Sequence, residues 1–501
     1  MKTASAMMTL FVLLFVGCTD KTVGELSSEQ QASGLEPLAY TIYSEKSELF
    51  VEFKPLVVGN RSNFAAHFTI LGENFLPLIE GKVTVSWISG ENGIRNSADT
   101  ASSPGIFRLA IIPKTAGVGK LVFDIETKDN TDQIVIENIV VYPDENAALQ
   151  VQTVTANAND ISYLKEQAWK VEFANAPVLK QSFSDIIKTN GQILSAPGDE
   201  MMVTASASGI VQFSGSKTIV GSEVSNGTNL FTLSGGNITE GNIDVVYQET
   251  KANYDKAKSD FKRASELVKE QIVSQKDFLQ TKVAFENSQT AFNAIAKNYS
   301  AKGQRISSPM AGFVKNVLVS EGQYVEAGTP LAIISKNKKL VLQASVSQRN
   351  FSKLPSITSA NFKIAGSEKV FTSQELNGKI ISFGKSASAN SPFIPVTFEI
   401  DNIGNIIPGS VAEVYLKSSP IPNALIVPVS SLLEEQGNFY VYVQSGGESF
   451  QKREIKIGAS DGIFVQLLSG VSEGERVVTK GAYQIKLSSA SGELPAHGHE
   501  H

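Results

Sequence analysis

Hydrophobic and polar positions change their period several times along the chain. From Pro37 to Pro143 short apolar alternations are broken by turn residues: LFVEFKPLVVG, FAAHFTIL, KVTVSWISG, GIFRLAIIP, KLVFDIET and QIVIENIVVYP. Strands of this length and spacing predict an antiparallel β-sandwich of roughly a hundred residues. Within Phe64–Leu71, the side chains of Phe64, Ala66, Phe68 and Ile70 share one face, which puts His67 on the other. The stretch Ala147–Ala174 is more polar and reads as a connector entering a strand near Trp169–Phe173. SDIIKTNGQIL and MMVTASASGIV then return to the strand pattern.

Between Asn237 and Ala301 the period becomes helical. Tyr247, Tyr254, Phe261 and Val268 are spaced by seven, and Thr250, Ala257 and Ala264 repeat the spacing three positions later. In the second half Phe278, Phe285, Phe292 and Tyr299 again recur every seven. Such a pattern is an a/d seam. The intervening LVKEQIVSQKD interrupts it, so the prediction is two antiparallel helices in a coiled-coil hairpin. At 1.5 Å per residue, helices of about 30 residues make a rod of roughly 45 Å. The aromatic stripe is expected to pack across the seam rather than hold a cofactor.

The helical stretch is flanked by two copies of one unit. GSEVSNGTNLFTLS (Gly221–Ser234) aligns without a gap on GQYVEAGTPLAIIS (Gly322–Ser335). Each copy is preceded by a Gly-aliphatic/aromatic-Val start, Gly209-Ile210-Val211 and Gly312-Phe313-Val314. The glycines Gly209, Gly221, Gly227, Gly312, Gly322 and Gly328 are expected to permit tight turns with positive φ. One copy alone is too small to enclose a core. Two copies facing each other by pseudo-symmetry are not, and that describes a biotinyl/lipoyl fold split in two.

After the second copy, KKLVLQASVSQRNF, NFKIAG, GKIISFGK, FIPVTFEI and GSVAEVYLK predict a small β-barrel. From Ile421, IPNALIVPVSSLL, NFYVYVQ, KREIKIG, IFVQLLSG and ERVVTKGAYQIK form a last β-rich module before the polar tail SSASGELPAHGHEH. The fold class is therefore mainly β and multidomain, with an α-helical hairpin. The expected organisation is signal peptide 1–17, flexible linker 18–36, sandwich 37–145 and lipoyl halves 204–237 and 302–335. Around these lie a barrel from 179–203 and 336–419, a further module from 146–178 and 420–488, the hairpin 238–301 and the tail 489–501.

The N-terminus adds an address. MKTASAMMTLFVLLFVGCTD has one Lys, an apolar run from Met7 to Val16, and Gly17 before Cys18, the single cysteine of the chain. The run fits a signal-peptide core better than a membrane span. The small residue before Cys18 resembles a bacterial lipobox, which implies cleavage there and acylation of the Cys18 thiol. Several acyl chains anchor stably, at roughly 0.8 kcal/mol per buried methylene. One cysteine allows no intrachain disulfide, so burial alone holds the fold. The formal net charge of −6 and the absence of a basic cluster give no footprint for nucleic acid.

Taken with the split repeat, the order of modules resembles that of periplasmic adaptors of tripartite efflux systems, the membrane fusion proteins. The resemblance covers about Ser162–Ser488. SSPMAGFV (Ser307–Val314) looks like that family's return from hairpin to lipoyl half, and IPNALIVPVSSLL followed by VSEGERVVTKGA is similar to its membrane-proximal module. The resemblance implies an inner-membrane RND transporter and a TolC-like outer-membrane channel as partners, self-association as a hexamer, and a periplasmic location with a lipid anchor. It also implies a docking tip in which Arg263 and Ser274 hydrogen-bond the channel backbone while Leu267 packs. The bland alternative for these three is ordinary helix surface.

Catalysis is not expected. The four histidines are His67, His497, His499 and His501, no Ser/His/Asp or Cys/His set can be assembled, and no phosphate-binding GxxxxGK[ST] occurs. No Lys stands at a hairpin tip between the lipoyl halves, where true lipoyl or biotinyl domains are modified.

ELFVEFKPLVVGNRSNFAAHFT resembles the N-terminal region of heavy-metal adaptors of the Czc and Cus type. No cofactor is expected. His497, His499 and His501 could sample a divalent ion weakly, by an alternating set of imidazoles on a flexible tail, and a solvated tail with no role is the competing reading. Of the six methionines, Met1, Met7 and Met8 lie in the leader and Met201, Met202 and Met310 outside the sandwich, so a thioether clamp for copper(I) or silver(I) is absent there. His67 is a candidate sandwich ligand, though a lone His on a strand is more often exposed or satisfied. The reading is an adaptor for efflux of heavy-metal cations, most consistent with divalent ones. The alternatives are an adaptor for drug RND or ABC-type efflux, and a periplasmic metal-binding lipoprotein without a pump.

Overall fold

In the computed structural model, residues 34–128, 130–151, 160–235, 243–300, 302–384, 392–403 and 406–491 are described. The expected signal peptide, Cys18, most of the linker, and His497, His499 and His501 lie outside the described residues.

The N-terminal alternations form two five-stranded sheets. One contains strands Ser47–Phe53, Ser62–Ile70 and Ile106–Ile111, and the other Lys82–Ser89, Gly117–Glu126 and Thr131–Tyr142. Period-two patterning sends Phe53, Phe64, Phe68, Phe107, Trp87 and Phe123 into one core between the sheets. His67 does point to the opposite face, yet it is fully buried, because a second layer covers that face. The strand expected near Trp169–Phe173 begins just after it, at Ala174. A helical turn, Lys165–Ala168, precedes that stretch and the strand Ala174–Pro177 follows, which frees Trp169 to pack on the sandwich.

The halves of the repeat interlock. Strand Gly209–Phe213 pairs with Asn229–Ser234 of its own half and with Tyr324–Val325 of the other. Strand Gly312–Val317 pairs with Pro330–Ser335 and with Glu223–Val224 in the mirrored way. The swap repeats in single bonds: Gly221 N–H donates to Val314 O and Gly322 N–H to Val211 O, both at 2.8 Å. Val211, Leu230, Leu233, Val314, Leu331 and Ile334 fill the shared core.

Four of the six glycines, Gly221, Gly227, Gly322 and Gly328, have φ between 81° and 89° in open space, so they serve the turns as expected. Gly209 and Gly312 do not. Their need is for proximity: a Cβ would lie 3.0 Å from Ser234 O at Gly209 and 2.3 Å from Ser335 O at Gly312. Ser234 and Ser335 are the matching last residues of the two copies, so the close approach obeys the same pseudo-symmetry.

Strand Glu200–Thr204, most of it expected in the barrel, pairs with Pro330–Ser335 and so belongs to the lipoyl base, while the strands outside the sandwich and the lipoyl sheets join in one continuous 14-stranded sheet. Lys180–Ser195 and Val411–Pro428 pair along most of their length. The second of these crosses the expected boundary at 419/420, since a single strand serves the barrel at one end and the C-terminal module at the other. The barrel core gathers Leu342, Phe362, Val396, Phe398 and Val414. Phe75 of the sandwich joins Phe173, Tyr442 and Phe450 in a separate cluster, so sandwich and C-terminal module share apolar burial.

Candidate docking site at the hairpin tip

Helices Ile243–Leu267 and Gln275–Ala296 run antiparallel on top of the lipoyl halves. Their heptad rings alternate into a continuous ladder. Tyr299 stacks on Tyr247 at 3.9 Å between centroids, Phe292 on Tyr254 at 5.0 Å and Phe285 on Phe261 at 5.1 Å, the last two within 7° of parallel. Phe278 closes the distal end at 5.8 Å from Phe261. At the base Tyr299 belongs to a short strand, and its hydroxyl donates to Asp244 at 2.6 Å. Burial, followed by the Asp244 hydrogen bond and charge, pushes the Tyr299 hydroxyl up to about 12. The ladder therefore starts in the rigid base and ends at the tip.

Its opposite side is a groove floored by the small residues Ala257, Ala264 and Ala284. Arg263 and Leu267 line that groove together with Asp277. Arg263 is exposed and has no ion-pair partner among the described residues. Leu267 is the last residue of the first helix, and its carbonyl accepts the Ile272 N–H at 3.0 Å. Ser274 is the N-cap of the second helix. Its hydroxyl accepts the Asp277 N–H at 3.1 Å and donates to Asp277 Oδ2 at 2.7 Å. This satisfies an otherwise orphan helix donor. The structure thus brings Arg263 and Leu267 into one groove and gives Ser274 a structural task at its rim.

Sequence reasoning passed over an apolar stripe on the turn and on the side of the second helix directed away from this groove. Ile272, Leu279 and Val283 are 63%, 51% and 53% exposed on the turn and the second helix. The spacing of seven and four was there to be read, but the aromatic heptads drew the pattern to the other face. The tip accordingly offers a cation, small-residue room and exposed apolar groups, a set suited to gripping another helix end. Among the described residues no helix is long and apolar enough to cross a membrane, and none group three or more His, Cys, Asp or Glu as metal ligands. His67 instead lies 5.4 Å from the Phe50 ring and 3.8 Å from the Glu166 carboxylate.

Comparison with known proteins bears on the same architecture. Residues 425–486 match the model of the CzcB C-terminal circularly permuted SH3-like domain. The chain is 23% identical over 253 residues to multidrug resistance protein MdtA of Xenorhabdus bovienii, covering 48% of this chain and 60% of that protein. It is 23% identical over 329 residues to the nickel-cobalt-cadmium resistance protein NccB of Alcaligenes xylosoxydans xylosoxydans, covering 63% and 80%. The chain thus spans about six tenths of the first relative and four fifths of the second. Among solved structures, ZneB from Cupriavidus metallidurans matches at 20% identity over 66% of this chain and 98% of that one, with a TM-score of 0.32. The chain is thus similar to a CzcB-type domain at its C-terminus and, over about half to two thirds of its length, to resistance proteins named for drugs and for nickel, cobalt and cadmium.

Proposed function

We propose that the chain is the periplasmic adaptor of an efflux assembly that exports heavy-metal cations, divalent ones foremost. The observation that carries this is the lipoyl-like base split around a hairpin, continued into a CzcB-type C-terminal domain. In this reading the role is connective and no reaction is catalysed. The barrel and C-terminal module meet an inner-membrane RND transporter, the hairpin reaches a TolC-like channel, and several copies, six by family resemblance, enclose the path. Acylation at Cys18 would hold the chain at a membrane of a Gram-negative envelope. Arg263, Leu267 and Ser274 form the tip contact, with Arg263 supplying the free donors. The C-terminal histidines His497, His499 and His501 would at most sample the cargo ion, and no resident cofactor is assigned.

The match to a multidrug resistance protein supports a second reading, an adaptor for drug export. Deleting the gene and challenging the strain with zinc, cobalt, cadmium, nickel, copper, silver and a panel of drugs separates the two. Sensitivity to divalent cations alone is the expected result. Sensitivity to drugs alone would transfer the assignment to drug export, and an unchanged profile together with a pull-down free of pump and channel would remove the adaptor role.

A further inference from the structure

The face of the sandwich that carries His67 is closed by a buried polar seam. From the sandwich come Tyr43, Glu48, Phe50, Glu52 and His67. The connector turn brings Lys165, Glu166 and Trp169, and the C-terminal module adds Asn175, Gln444, Glu448 and Arg476. Glu48 is fully buried, and its Oε1 accepts from Lys165 Nζ at 2.6 Å, Tyr43 Oη at 2.6 Å and Gln444 Nε2 at 3.1 Å. Arg476 lies 3.6 Å over the Tyr43 ring and donates to Asn175 Oδ1 at 2.7 Å, while Asn175 donates to Gln444 at 3.0 Å.

Two apolar contacts register the parts. Trp169 packs where a Cβ on Gly105 would lie 2.3 Å from its ring, and its Nε1 donates to Thr69 Oγ1 at 3.1 Å. Phe50 packs where a Cβ on Gly447 would lie 2.0 Å from its ring. Beside that second contact stands Glu448, 8% exposed, its Oε1 accepting the Lys165 N–H at 2.7 Å.

The charges at this place do not balance. Glu448 faces Lys165 and Glu166 from the connector and Glu52 from the sandwich, and Lys165 also serves Glu48. Four carboxylates therefore share one lysine, with His67 set against Glu166 on the strand side and Arg476 beyond Tyr43. One proton on Glu448 lowers the excess by one charge at the most enclosed contact of the seam. Without that proton, a buried anion sits at the Phe50–Gly447 contact between two like charges, and the strain is relieved by admitting water there.

We propose that this seam is a proton-operated clasp between the N-terminal sandwich and the C-terminal module, with Glu448 as the group that takes up the proton: closed on the acid side of neutrality, loosened above it. Burial, with Glu166 and Glu52 adding repulsion against the Lys165 amide and charge, pushes the Glu448 carboxyl up to about 7. A carboxyl with a higher pKa in the closed state takes up a proton on closing. Closure is thus favoured in acid and weakens as pH rises through about 7. Glu48 sets the opposite limit. Its burial works upward, but Lys165, Tyr43 and Gln444 outweigh it and hold the carboxyl below its ordinary range, so the ion pair fails only in stronger acid.

The test is hydrogen–deuterium exchange of the full chain between pH 6.0 and 8.5, corrected for the intrinsic pH dependence of amide exchange. Segments 47–52, 64–70 and 444–450 should exchange about five-fold faster or more at the alkaline end, while the lipoyl halves stay constant. Glu448→Gln should flatten that profile in the protected state. Glu52→Gln, at a half-buried site, should move the midpoint to lower pH, which keeps the proposal testable if the first variant does not fold. A flat profile in the unaltered chain, a full pH response in Glu448→Gln, or an unmoved midpoint in Glu52→Gln would each overturn it.

Discussion

The hairpin and the sandwich seam both join distant segments, by opposite means. In the hairpin the ladder rings are only partly covered: the second helix has no buried residue, and the first has one, Ile243 at its base. Order there comes from repetition of the same stacked pair, each worth about 0.5–1.5 kcal/mol beyond its burial. In the seam nothing repeats. Glu48 and Lys165 are 0% and 4% exposed, and each is held by partners from different modules. A ladder loses one rung at a time, whereas a buried charge network is either satisfied or costly as a whole. The element meant to reach outward is thus built to tolerate local change, and the element that fixes the sandwich is not.

The largest expected effect is at the seam. Lys165→Met leaves the Glu48 carboxylate buried and unpaired, and should destabilise the sandwich–module contact by about 3–5 kcal/mol. Chemical denaturation of this multidomain chain should then show the sandwich transition separating from the rest, and an unchanged transition would deny the seam its role. Next comes the ladder. Phe285→Ala removes the ring between Tyr254 and Phe261 and should cost about 2 kcal/mol, less than for a fully buried ring. Proteolysis at the hairpin should accelerate while the seam stays protected; equal effects on both would erase the contrast.

The smallest structural effect is at Arg263. Arg263→Asp should change stability by less than about 0.5 kcal/mol, as for other exposed positions, and still abolish resistance conferred by the assembly. Ser274 is the poorer probe, because its loss also uncaps a helix, at about 1 kcal/mol. Full resistance in the Arg263→Asp strain would remove this residue from the docking site.

These regions also differ in how far they could be read from the residues alone. Heptad spacing places Phe261, Phe285 and Phe292 on one face whatever lies around them, because helix geometry is local. The repeat was legible for a related reason: two copies that cannot each enclose a core must share one. Gly209 and Gly312 were assigned turns because a glycine in sequence does not say whether it serves its own φ or a neighbour's approach; here the cross-strand carbonyls of Ser234 and Ser335 decide. His67 was placed on the correct face and given the wrong surroundings, since nothing local reveals what covers a sheet. A hint was present in Phe50, a large ring on the same outward face as Glu48 and His67, which marks that face as covered. Lys165 lies 117 positions from Glu48 and Gln444 lies 396 from it, and these groups meet only through the fold, so their pairing left no trace in spacing.

The exchange of short strands between the two lipoyl halves has a consequence for how this molecule can fail. The polypeptide leaves the base, travels to the tip and returns, yet the outbound and inbound portions are each woven into the other's sheet. A cleavage at the turn around Gln271 would therefore break the chain without parting the pieces. The damage would be visible as two bands on a denaturing gel and as one particle in native solution. A long projecting arm can thereby be cut at its end without the body that carries it coming apart.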